Sequence, residues 1–159
     1  MQYRDVLREV ATRLGVAEPD ALPRSLPEWP VFTEVRESLE EARTRGWKLA
    51  ILSNTDRDFI EASMTRIGVP FELAIVASEI GSYKPATRHW EEFYGRTGAD
   101  HGRHVHVAQS MFHDIVVANE LGLPSVWINR LGEHHDTAPT RELPDLVELP
   151  EVLDELVAS

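Results

Sequence analysis

Along this chain, short apolar runs alternate with segments in which apolar residues recur at helical spacing. Residues 48–52, 73–77, 105–108 and 125–129 are rich in Val, Ile and Leu, the pattern of parallel strands buried on both faces. A shorter fifth run at 146–149 extends the set. Between the runs, Val35, Leu39 and Ala42 mark a helix that stops at Gly46, and Phe59, Ile60, Ser63, Met64 and Ile67 mark another that follows Asp56 and ends at Gly68. Trp90, Phe93 and Tyr94 belong to a third. Ile115, Ala118 and Leu121, before Gly122, form a fourth, and Pro150 opens a last one carrying Val152, Leu153, Leu156 and Val157. Strands alternating with helices predict an α/β fold, a Rossmann-like parallel sheet flanked by helices.

The first thirty residues differ in kind. Tyr3, Val6, Leu7, Val10 and Leu14 have helical spacing, but Pro19, Pro23, Pro27 and Pro30 then fall within a short span that no long helix tolerates. Residues 1–30 are therefore expected to be the remnant of a small helical cap. Residues 26–32 would return the chain to the sheet, and residues 31–159 would form the α/β core as a single globular unit.

Composition narrows the partners. The chain has 159 residues, 42% hydrophobic, enough for one core. Its 27 acidic against 16 basic residues give a formal charge of -11. Binding to nucleic acid or to an anionic membrane depends on clustered Lys and Arg, so neither partner is expected. The absence of cysteine excludes disulfides and a thiolate nucleophile, and fits a cytoplasmic location. His104 and His106 alternate along one run and would share a face, but no third ligand has metal-like spacing with them.

Polar clusters stand at the ends of three of the runs: Ser53-Asn54, then Lys84 in Tyr83-Lys84-Pro85, then Gln109-Ser110 leading to His113-Asp114. The carboxyl ends of strands in an open parallel sheet face the ligand crevice, so a hydroxyl and an amide there can hold an anionic oxygen. The simpler alternative is capping of the next helix by Asn54, Thr55 or Asp56. We favour capping for Asp56 and a ligand role for Ser53. A solvated surface position is the alternative for Lys84 and core packing for Trp90, while Asp114 could cap a helix or pair with Lys84.

With Trp29-Pro30-Val31-Phe32, the run from Lys48 to Asp56, Gly81 to Pro85, His106 to Asp114 and Val126 to Arg130, the chain resembles the haloacid dehalogenase superfamily, within it the type II 2-haloacid dehalogenase branch. The resemblance covers nearly the whole chain. It implies a hydrolase of a small anionic 2-haloacid. In an intact relative, an aspartate would attack the substrate carbon and expel the halide, forming an ester that water then hydrolyses to release the product. Lys84 and Asp114 would organise charge, Ser53, Asn54, Ser110 and Gln109 would bind the anion, and Trp90 would line the pocket by analogy.

The resemblance also exposes two departures. Phosphatases of this superfamily usually have an aspartate where Gln109 stands, and a hard Mg2+ ion wants anionic oxygen. Gln109 therefore disfavours Mg2+, and no cofactor is expected, which leans toward metal-free dehalogenation of a monoanion. A phosphatase is the alternative hydrolase. The second departure is larger: no Asp-x-Asp or Asp-x-x-x-Thr ends an apolar strand ahead of Ser53. The family's first central strand and its nucleophile are absent from these residues, so little or no turnover is expected of this chain alone. Met1 would then be an internal methionine or a truncation point of a longer ancestral chain. Without that strand the flanking strands pair directly, or a second copy or partner strand fills the slot. The exposed sheet edges would support a homo-oligomer or a non-catalytic interaction module.

Overall fold

The computed structural model describes residues 1–157. Its helices are α1 (Tyr3–Arg13), α2 (Ala21–Ser25), α3 (Val35–Thr44), α4 (Arg57–Ile67), α5 (Ala77–Ile80), α6 (Arg88–Thr97), α7 (Val116–Glu120) and α8 (Leu149–Val157). Its strands are β1 (Ala50–Ser53), β2 (Leu73–Val76), β3 (His106–Ala108), β4 (Ser125–Ile128) and β5 (Arg141–Leu143). All the strand pairs are parallel. The chain is an α/β protein of parallel sheets flanked by helices, as the alternation of runs predicts. No helix among the described residues is long and apolar enough to cross a membrane.

Two compact units divide the chain. The first comprises residues 1–32 and 48–92. Here β1 pairs with β2 alone, in the register Ala50↔Leu73 to Ser53↔Val76. Ile75 and Val76 are fully buried, as the unbroken apolar run requires. α4 makes the crossover between these strands and ends at Gly68, whose φ of 71° is left-handed. An L side chain is strained there, so Gly68→Ala is expected to cost about 1 kcal/mol, read as a shift of the urea midpoint at constant slope. The four prolines of the cap segment shorten its helices without abolishing them: Pro23 lies inside α2, and Pro27 sits in a 3-10 turn, Leu26–Glu28. The run at 73–77 loses its last residue to α5, which Ala77 opens.

The second unit comprises residues 33–47 and 93–159, described to residue 157. β4 lies between β3 and β5. Ala42 of α3, Val126 and Ile128 of β4, Leu143 of β5, and Leu149, Val152 and Leu153 of α8 form its core. α3 and α8 are also tied by polar groups: Arg45 bonds Glu151 and Asp154, and the Trp47 indole N–H donates to Asp154 at 2.9 Å.

The fifth strand is not at 146–149. Residues 146–148 are bend and turn, Leu149 begins α8, and the strand is Arg141–Leu143 instead. The physical reason is that Leu149 keeps helical step with Val152 and Leu153, which bury one apolar face of α8. β5 escapes an apolar-run criterion because Arg141 and Glu142 are exposed. Leu143 is buried, and its carbonyl accepts from the Asn129 N–H at 2.8 Å.

Candidate functional site

In the first unit the turn after β1 brings Ser53, Asn54 and Lys84 together. The Asn54 side chain bridges the backbone of Lys84 in both directions: Oδ1 accepts from Lys84 N–H at 2.7 Å, and Nδ2 donates to Lys84 O at 2.9 Å. Asn54 therefore splints the Lys84 segment to the strand end, a positioning duty that leaves its amide little capacity for a ligand. Lys84 is 9% exposed and its Nζ donates to Leu52 O at 2.7 Å. The surface-lysine alternative fails here. A buried ammonium keeps its charge only where oxygen atoms surround it.

Two features of this cluster were not anticipated. His89, fully buried on α6, lies with Nε2 3.1 Å from Ser53 O. A carbonyl only accepts, so Nε2 carries the proton and steadies the strand end. Nothing in the spacing marked His89. Asp56 begins α4 but makes no side-chain cap on it. This corrects the capping reading: the carboxylate caps a different helix, accepting from the backbone N–H of Tyr3 at 2.8 Å and of Arg4 at 3.1 Å at the start of α1, and from Arg4 Nε at 2.9 Å. Burial pushes the Asp56 carboxyl up, but these donors outweigh it and hold it below the usual carboxylate range. Tyr83, next to Lys84, donates its hydroxyl to Met1 O. Trp90 is 1% exposed, as core packing requires.

In the second unit the segment after β3 carries Gln109, Ser110 and Asp114. The Trp127 indole N–H donates to Gln109 O at 2.9 Å and fixes the strand exit, while Gln109 itself is exposed. Ser110 caps the turn that follows, its Oγ accepting from His113 N–H, and lies 2.9 Å from His113 Nδ1. That turn, Met111–Ile115, is π-helical, with Ile115 N–H reaching Ser110 O at 3.3 Å. Asp114 is buried, with Oδ1 2.9 Å from His106 Nε2.

The other histidines form a separate cluster. The Tyr94 ring stacks on His101 at 3.7 Å and its hydroxyl lies 2.6 Å from His104 Nδ1. Burial, helped by His106 and His101, lowers the His104 pKa to about 4, so this imidazole is neutral at pH 7 and accepts the Tyr94 proton. Burial raises Tyr94 to about 12. Among the described residues no three His, Asp or Glu groups gather as a metal site. The donors after β3 do not fit a hard divalent cation, because Gln109 is neutral and the Asp114 carboxylate is already engaged by an imidazole.

A family model described as haloacid dehalogenase-like hydrolase matches residues 23–128. The (S)-2-haloacid dehalogenase of Pseudomonas sp. (strain YL) is 35% identical over 103 residues, 64% of this chain and 44% of that protein. The phosphoserine phosphatase of Thermus thermophilus is 27% identical over 153 residues, 92% of this chain and 61% of that protein. The chain thus spans about half the length of these curated relatives. A crystal structure of a dehalogenase with an intermediate complex matches the fold with a TM-score of 0.85, at 21% identity, over 96% of this chain and 73% of that one.

Proposed function

The chain belongs to the haloacid dehalogenase-like hydrolases, and from that premise we propose that it carries a metal-free, anion-binding portion of a 2-haloacid dehalogenase-type site. Ser53 and the Lys84 ammonium hold the carboxylate of a small 2-haloacid, and Asn54 keeps Lys84 in place. The observation that carries this reading is Lys84: an ammonium 9% exposed at the carboxyl end of a parallel strand, beside a serine and strapped through both backbone groups. One buried positive charge suits a monoanion that expels a stable halide, whereas a phosphate dianion asks for more neutralisation than one lysine provides.

Ester formation needs a carboxylate nucleophile. The aspartates of these residues do not include one at a strand end ahead of Ser53. Asp56, the one nearest to Ser53 in sequence, is occupied by α1. Halide release from 2-chloropropionate by the purified 159-residue chain is therefore expected at the level of a Lys84→Ala control. Binding is the informative measurement. Calorimetric titration of 2-chloropropionate in the presence of a chelator is expected to saturate, with affinity about tenfold weaker in Lys84→Ala. Phosphate release from phosphoserine that depends on Mg2+ would instead establish the phosphatase alternative.

A further inference from the structure

Asp114 is one of three inward positions of its π turn. Met111, Asp114 and Ile115 are buried while Phe112 is exposed, and Met111 and Ile115 pack with Trp127 of β4. A carboxylate placed among such neighbours is costly without a hydrogen-bond donor. β3 supplies one. Val107 packs toward the core formed with α3 and α8, whereas Ala108 packs against Met111, Ile115 and Trp127. Side chains alternate along a strand, so His106 shares the face of Ala108. Its Nε2 stands 2.9 Å from Asp114 Oδ1, with His106 7% and Asp114 5% exposed. A carboxylate accepts, so Nε2 carries the proton.

We propose that His106 is a positioning residue whose Nε2–H locks the Asp114 carboxylate in one rotamer. The locking stands on the geometry of the second unit alone and does not rest on the function proposed above.

A buried histidine on a strand could instead serve as a space-filling ring, and two variants separate donor from shape. His106→Gln keeps an N–H donor of similar reach and loses the ring. His106→Phe keeps the flat volume and loses the donor. Three-bond Hα–Hβ and N–Hβ couplings of Asp114, measured by NMR on the whole chain, are expected to report a single χ1 rotamer in the wild type and in His106→Gln, and averaged values in His106→Phe.

Averaged couplings in the wild type, or a single rotamer retained in His106→Phe, overturn the proposal. So does the reverse order, with Phe tolerated and Gln not, which is what packing demands. Should His106→Phe fail to fold, long-range proton–nitrogen correlations of the wild-type ring decide the matter: a proton on Nε2 supports the proposal, and one on Nδ1 with bare Nε2 overturns it. A wild type that binds no 2-chloropropionate yet shows the donor-dependent couplings sinks the functional reading and leaves the positioning role standing.

Discussion

Asp56→Ala is expected to destabilise the chain by about 3 kcal/mol, the sum of a lost helix N-cap and a lost charge-assisted bond. The carboxylate is 3% exposed and serves three donors at once: the Tyr3 and Arg4 backbone N–H groups and Arg4 Nε. The two backbone groups head α1, where intrahelical partners do not exist. Alanine would leave these part-buried N–H groups without that acceptor. Arg4 would be partly retained, because its guanidinium also reaches Asp58 and lies 4.7 Å from the centre of the Phe59 ring. Asp56→Asn keeps one acceptor without the charge and should lose roughly half as much. Urea unfolding measures the total, and hydrogen exchange should show residues 1–32 opening first. A loss below about 1 kcal/mol in Asp56→Ala would mean that the cap segment is held by packing rather than by this carboxylate. Because the folded carboxyl lies below its ordinary range, the contribution is complete above the unfolded carboxyl pKa and disappears as pH falls through the folded one.

The Asp56 contact also marks the limit of reading residues one stretch at a time. Position 56 precedes a helical run, and local logic assigns its side chain to α4. The structure assigns it to a helix more than fifty residues away in sequence, a pairing with no sequence spacing to reveal it. Four strands and most helices were legible because unbroken apolar runs and Gly stops are local signals. β5 was not, since its residues Arg141 and Glu142 face solvent and only their pairing with Val126 and Trp127 of β4 identifies them as strand. At the candidate site, Ser53 and Asn54 were legible as strand-end polar residues and Lys84 as a turn residue, and the structure adds that α5 intervenes before Lys84 and that the Asn54 side chain bridges its backbone. His106 was half visible, noted for sharing a face with His104. Its partner Asp114 lies eight residues on, across a π turn whose extra residue shifts the inward face. No simple period predicts that meeting.

Acidification from pH 7 to pH 4 is expected to remove about 3 kcal/mol of stability through His104 alone, an effect distinct from carboxylate protonation at lower pH. Burial is the leading cause of its lowered pKa, and the neighbouring His106 and His101 add like charge. The folded pKa of about 4 lies below the ordinary value of 6.5. The unfolded chain therefore takes up a proton near pH 6.5 that the folded chain refuses, and stability falls as pH drops between these values, then levels off for this group. The Tyr94 contact sets the structural consequence: its hydroxyl donates to Nδ1 at 2.6 Å, and a protonated ring can no longer accept there. Tyr94 would also lose the register that stacks it on His101 at the end of α6. His104→Gln retains an acceptor for the tyrosine and cannot titrate. Urea unfolding at pH 7, 5.5 and 4 should show a steep decline for the wild type and a flatter one for His104→Gln. Equal slopes for the two proteins would show that the imidazole is free to protonate in the folded state, and the buried Tyr94–His104 bond would then not describe the protein in solution.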